Sequence, residues 1–195
     1  MRIVAGKLRG RPLAAPEGTN VRPTSDRVRE AIFNILTHGS ARLELEGAVV
    51  LDLFGGTGAL GLEALSRGAR SCLFVEDDAE ARGLIRRNIE ALGQTGTTKI
   101  YRRDATDLGP AGNREPATLV FADPPYGKGL GERALASAAE GGWIADGAIV
   151  VLEERVGTRI AWPPAFEPIE TRSWGETQVA FARYRRSRTG KGTAP

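Results

Sequence analysis

Residues 51–61, Leu51-Asp52-Leu53-Phe54-Gly55-Gly56-Thr57-Gly58-Ala59-Leu60-Gly61, constrain the fold more than any other stretch of the chain. They follow the unbroken apolar run Ala48-Val49-Val50-Leu51, as expected of a central parallel strand. They lead into a segment patterned as a helix from about Ala59 to Arg67 and stopped at Gly68. A glycine loop between strand and helix lets a ligand come close to the backbone. The alternation then continues. Leu73-Phe74-Val75 predicts a second strand, and a helix over 79–92 sets Leu84, Ile85, Ile89 and Leu92 on one face before Gly93. Lys99-Ile100-Tyr101 and Leu119-Val120-Phe121 predict two more strands, followed by a helix over about 130–140 and a strand over 147–152. Residues 166–174 and 178–184 read as two strands joined by a short turn at Gly175, with no helix between them. The expectation is an α/β fold: a mostly parallel seven-stranded sheet with helices on both faces and a terminal antiparallel hairpin.

Upstream lies a basic extension of strand and helix. Arg2 to Arg11 reads as short strands around a glycine-containing turn, and residues 14–23 as a loop. A helix follows from about Ser25 to His38, with Val28, Ala31, Ile32, Ile35 and Leu36 in helical spacing. Thr24 or Ser25 can cap it, Asp26 suits its positive end, His38 its negative end, and Gly39 its stop. Charge is divided unevenly. Residues 1–29 and 183–195 hold twelve basic and two acidic residues, whereas the remainder holds fifteen basic and twenty-two acidic. An acidic body with basic ends suggests a polyanion held by the ends. Other classes are excluded. One cysteine, Cys72, cannot form an internal disulfide, and its apolar run predicts a buried thiol. One histidine and one cysteine exclude a Cys/His zinc site, and no metal is expected. No apolar run approaches the ~20 residues of a membrane span, and no signal-peptide pattern opens the chain, so cytoplasm is the expected location.

Two ligand classes fit the strand-one loop. Gly56-Thr57-Gly58-Ala59-Leu60-Gly61 matches the dinucleotide fingerprint, with Glu76 twenty residues past Gly56. Asp52 argues against it, because a carboxylate beside the loop repels a pyrophosphate. It favours S-adenosylmethionine, which has no phosphate and carries an ammonium beside a sulfonium. Glu76 can bind a ribose diol in either class, and Asp104 can accept from an adenine amino group. Three acids, each past a successive strand, lie where parallel sheets bind ligands. Phe121-Ala122-Asp123-Pro124-Pro125-Tyr126 points to the reaction. Asp123 and the Pro124 carbonyl are acceptors on a backbone stiffened by two prolines. Taking both N–H bonds of an exocyclic base amine would pyramidalise the nitrogen and aim its lone pair, with Tyr126 stacking on the base. A base within structured RNA would have to be turned out of its stack.

These residues resemble the class I methyltransferases that act on exocyclic amines, which have a Rossmann-like fold. The stretch Arg22-Pro23-Thr24-Ser25-Asp26-Arg27-Val28-Arg29-Glu30-Ala31-Ile32-Phe33-Asn34-Ile35-Leu36 narrows the resemblance to the bacterial 16S ribosomal RNA guanine-N2 methyltransferases. Arg2-Ile3-Val4-Ala5-Gly6-Lys7, Arg9-Gly10-Arg11 and Gly58 to Arg67 resemble the same family, and the resemblance spans about 1–185. It implies methylation of the N2 amine of guanine 966, in 16S numbering, within the small ribosomal subunit or an assembly intermediate. The expected organisation is a monomer with an RNA-binding extension and helix over 1–40, a methyltransferase domain over 41–186 and, past the resemblance, a disordered tail over 187–195. S-adenosylmethionine would be held by Thr24, Arg27, Asp52, Phe54, Gly55, Gly56, Gly58, Glu76, Asp77, Asp104, Ala105 and Asp123. Asp123, Pro124, Pro125 and Tyr126 would be catalytic, and the Tyr126 hydroxyl dispensable, since some relatives have phenylalanine there. Lys7, Arg9, Arg11, Arg22 and Arg29 would face RNA. An adenine-N6 methyltransferase and a non-enzymatic RNA-binding protein are the competing readings.

Overall fold

A computed structural model describes residues 1–16 and 25–186. Among these residues, seven strands form one sheet in the order β3-β2-β1-β4-β5-β7-β6. They are β1 Val49–Leu53, β2 Ser71–Val75, β3 Thr98–Tyr101, β4 Ala117–Ala122, β5 Ile144–Arg155, β6 Phe166–Trp174 and β7 Thr177–Tyr184. The first five run parallel, whereas β7 pairs antiparallel with both β5 and β6. The expected terminal hairpin is therefore present, and its second strand is inserted beside the parallel set. Strand β5 is longer at both ends than the expected 147–152. Its register against β4 shifts between Ala117 and Leu119, and Gly147 adopts a positive φ of 81° in that stretch.

Period-2 alternation sorts each strand into two core layers. Val50, Phe74, Phe121, Val151 and Phe181 face helices α1 (Asp26–His38), α2 (Ala59–Ser66) and α3 (Ala79–Ala91). Leu51, Val75, Val120, Leu152 and Ala182 face α4 (Leu130–Glu140). Among the described residues, no helix is long and apolar enough to cross a membrane.

Helix α1 begins where the sequence places it, with the Ser25 hydroxyl accepting from Val28 N–H at 3.2 Å. Its buried face is Val28, Arg29, Ile32, Phe33 and Leu36, and Phe33 meets Phe121 of the sheet with ring centroids 5.8 Å apart. The arm before it makes one bridge, Arg2 to Pro12, rather than the expected short strands. Three glycines and prolines within Gly6–Pro12 leave little room for a longer ladder. The arm lies instead on α2. Gly6 approaches the Ser66 carbonyl so closely that a Cβ there would lie 1.9 Å from its oxygen. Lys7 N–H donates to that oxygen at 2.7 Å, and the Glu63 carboxylate accepts from Val4 and Ala5 N–H at 2.8 and 3.0 Å.

Candidate active site

The strand order reverses between β1 and β4, and crevices at such a switch point are where open α/β sheets bind ligands. Leu53 is in register with both Val75 and Ala122, and Val75 with Tyr101. The residues leaving these ends, Phe54, Glu76 and Asp123, therefore emerge from neighbouring strands at one level. That register brings the glycine loop and the Asp-Pro-Pro-Tyr motif together.

Several bonds shape the loop. Gly55 N–H donates to Val75 O at 3.0 Å, and Gly58 N–H to Gly55 O at 2.6 Å. Phe54, Gly56 and Gly58 all hold positive φ, at 62°, 55° and 78°. For Phe54 that conformation is strained and needs support from its surroundings. Glu76 supplies some, accepting from Gly56 N–H at 3.0 Å with one oxygen and from Asp78 N–H at 2.9 Å with the other. Gly56 itself is open: a Cβ there would meet only Phe54 O, at 3.8 Å. At Gly61 the space is filled, since a Cβ would lie 2.5 Å from both Cys72 Sγ and Phe74. The first of these glycines leaves the loop free for a ligand, and the second seats α2 on the sheet. Asn88, buried on α3, donates to Thr57 O at 2.9 Å and pairs with both backbone groups of Ala14, tying the arm to the loop.

Asp52 is not displayed toward the crevice. It shares the Val50 face of β1, is 2% exposed, and accepts from Gly61 N–H at 3.0 Å. Burial pushes its carboxyl up to about 8, against a lowering by the Gly61 bond, with the Glu76 charge adding to the rise. Its charge is thus suppressed in the free chain, and its place is to lock the start of α2. Asp104 is the opposite case. Exposed after β3, it accepts from both the N–H and the hydroxyl of Thr106 at 2.8 Å, and these bonds hold its carboxyl below the usual range. Ala105 is buried, Asp77 is exposed, and Asp78 caps α3 by accepting from Ala81 N–H. The set fits S-adenosylmethionine: an open glycine loop, a carboxylate beside it for hydroxyl groups, and a charged acceptor further along. Arg27 is exposed on α1. Thr24 and Arg22 lie outside the described residues, as does the tail over 187–195.

On the other side, Asp123 is half-buried, Pro124 buried and Pro125 exposed. Tyr126 donates its hydroxyl proton to Glu153 Oε1 at 2.6 Å and lies 3.1 Å from Thr177 Oγ1. The hydroxyl expected to be dispensable is therefore engaged. Gly127 N–H donates to both oxygens of Glu154, at 2.9 and 3.1 Å. Glu153, Glu154 and Thr177 are absent from the sequence reading. The signal was available: two acids end an apolar strand next to β4.

Lys7, Arg9 and Arg11 are exposed, and Arg11 also donates to Ala91 O at 2.6 Å. Arg29, expected to face RNA, does not. It is 0% exposed and pairs with Asp26 at 2.8 Å and with Glu63 at 3.5 Å. The spacing 29-32-33-36 puts it on the apolar face of α1, where its guanidinium joins the arm, α1 and α2 through one buried network.

Comparison with known proteins gives a consistent picture. A family model described as conserved hypothetical protein 95 matches residues 1–183. Ribosomal RNA small subunit methyltransferase D of Escherichia coli strain K12 is 35% identical over 194 residues, covering 100% of this chain and 94% of that one. A solved structure of a candidate methyltransferase from Escherichia coli is 32% identical with a TM-score of 0.80, covering 96% of this chain and 99% of that one. A Thermus thermophilus 16S rRNA N2 G1207 methyltransferase, solved with AdoMet and guanosine, shares the fold at 22% identity and a TM-score of 0.65, covering 87% of this chain and 45% of that one.

Proposed function

This chain belongs to the family described as conserved hypothetical protein 95, and from that premise we propose that it methylates the N2 amine of a guanine in 16S ribosomal RNA. The methyl donor is S-adenosylmethionine, the target nucleotide guanine 966, and the substrate the small ribosomal subunit or its assembly intermediate in the cytoplasm. The chain acts as a monomer, with residues 1–40 as an RNA-binding extension, 41–186 as the catalytic domain and 187–195 as a tail. The observation that carries this reading is the shared register of Leu53 and Ala122, which sets a cofactor loop beside a pair of fixed hydrogen-bond acceptors.

When bound, S-adenosylmethionine supplies an electrophilic methyl group on a sulfonium. Glu76 would accept from the ribose hydroxyls and Asp104 from the adenine amine. The backbone from Phe54 to Gly58 would hold the cofactor at the loop, Thr24 and Arg27 would serve its methionine end, and Asp77 and Ala105 would add to the parts held by Glu76 and Asp104. Asp52 acts one step removed, by fixing Gly61 and hence the loop. The Asp123 carboxylate and the Pro124 carbonyl accept the two N–H bonds of the guanine amine. That grip removes the nitrogen lone pair from conjugation with the ring and stabilises the positive charge that develops on nitrogen. Pro125 keeps the carbonyl direction fixed, and the Tyr126 ring supports the base. Lys7, Arg9, Arg11 and Arg22 hold phosphates without reading sequence.

The test is transfer of tritium from labelled S-adenosylmethionine to small subunits from a strain lacking this gene, followed by nucleoside analysis. N2-methylguanosine at the mapped position is expected. N6-methyladenosine would overturn the base assignment, and failure to bind the cofactor would favour a non-enzymatic RNA-binding role.

A further inference from the structure

The acceptor motif does not hold itself in place. Tyr126 is anchored at its far end by Glu153 on β5 and Thr177 on β7. Glu153 is 5% exposed and Glu154 3%, and carboxylates are almost never buried unless they are paired. Alternation along β5 sends the two acids to opposite faces of the sheet. Glu153 lies on the Val151 side, with Thr177 on the same side of β7 as Val179, while Glu154 lies on the Leu152 side. From those two faces the acids hold consecutive residues of one loop, Tyr126 by its hydroxyl and Gly127 by its N–H. A turn needs no such pair for its own sake, and burying two carboxylates opposes folding. Burial and the Glu153 bond also hold the Tyr126 phenol well above the ordinary tyrosine range.

A tyrosine ring anchored only at its Cβ end can still swing about two torsions. Holding the hydroxyl oxygen stops the swing about the first torsion, and because the phenolic O–H bond prefers the ring plane, partners on both Glu153 and Thr177 favour one plane for the ring. We infer that Glu153, seconded by Thr177, is a positioning residue for the substrate base: it sets the angle of the Tyr126 ring and so the angle at which a stacked guanine offers its amine to Asp123 and Pro124. The inference rests on the methyl-transfer reading above.

The test uses the full chain with unmethylated small subunits. Tyr126→Phe and Glu153→Leu each lower kcat about tenfold, the scale of loss expected for a small misalignment of reacting groups. Affinity for S-adenosylhomocysteine by calorimetry stays unchanged. The double variant loses no more than the worse single one, because both remove the same anchor. Glu153→Gln, whose amide oxygen still accepts, recovers most of the loss. Absorbance titration adds a readout independent of turnover: the Tyr126 phenol ionises at lower pH in Glu153→Leu than in the unaltered chain. Unchanged kcat in Tyr126→Phe, or losses that multiply in the double variant, would overturn the inference. Should Glu153→Leu not fold, Thr177→Val takes its place. It must cost less than Tyr126→Phe and add nothing to it, and multiplied losses again overturn the idea. Absence of transfer by the unaltered chain is a distinct result, which defeats the methyl-transfer reading and this inference with it.

Discussion

On the β1–β3 side of the crevice, carboxylates are satisfied by backbone N–H groups. Asp52 takes Gly61, Glu76 takes Gly56 and Asp78, and Asp104 takes Thr106. On the β4–β7 side, Glu154 likewise takes the Gly127 N–H, but Tyr126 is held by side chains, those of Glu153 and Thr177. The first arrangement shapes a loop, and the partners need only the right backbone path. The second fixes one ring, and the identity of every partner matters. A cofactor common to many enzymes can be received by the first kind of site, whereas alignment of one particular amine calls for the second.

The largest expected effect falls on the acceptor side. Asp123→Ala should lower transfer about a thousandfold, as loss of a preorganised group facing developing charge does, while cofactor affinity by calorimetry falls far less. Equal loss of both would break the division between the two sides. Next is Glu76→Ala, which leaves Gly56 N–H without its acceptor and removes the hydroxyl partner. Cofactor affinity should fall about 30-fold, equivalent to ~2 kcal/mol, with kcat at saturation reduced far less. A kcat loss as large as that in Asp123→Ala would merge the two halves.

Asp52 provides a pH test of the loop alone. Its carboxyl titrates near 3.8 when unfolded and at about 8 when folded, so between those values the folded chain holds a proton that the unfolded chain releases. The contribution of Asp52 to stability therefore falls as pH rises from about 4 to about 8. In Asp52→Asn this contribution vanishes. The melting temperature of the variant should drop less than that of the parent chain between pH 5 and 8, by a few degrees, when both are measured without cofactor. Parallel curves would show that Asp52 is ionised despite its burial. The smallest effect belongs to the arm, outside both halves. Arg9→Ala should weaken RNA binding severalfold at low salt and reduce the slope of log affinity against log salt by about one, leaving both cofactor affinity and kcat in place. An unchanged slope would place Arg9 off the RNA surface.

The same contrast explains what could be read from the sequence. Of the expected cofactor residues, Asp52, Phe54, Glu76 and Asp104 each follow an apolar run, so strand spacing points to them, whereas Thr24 and Arg27 rest on the resemblance alone. Helix α1, its Ser25 cap and the terminal hairpin were legible for the same reason: local periodicity and capping decide them. The anchor of Tyr126 was not. Glu153 is 27 residues away and Thr177 is 51, and they meet only because β7 folds back beside β5. The apolar count that ended β5 at residue 152 stopped one residue short of the acid that matters. Arg29 misled for another reason. Its neighbours in sequence are basic, but its neighbours at helical spacing are Ile32, Phe33 and Leu36, and the helix decides which set it joins. What the sequence does not show of Asp52 is its burial and its bond to the Gly61 N–H, which form only once α2 packs on the sheet.

The insertion of β7 next to β5 also has a consequence for the order in which the molecule becomes competent. Synthesis runs from the N-terminus, and every carboxylate on the cofactor side has been made by residue 104. The hydroxyl that seconds Glu153 arrives at residue 177, on the strand that must slot in last. A chain that has grown past residue 104 but not to β7 therefore has the cofactor-side carboxylates without the full restraint on Tyr126, and that restraint is complete only when translation is nearly over.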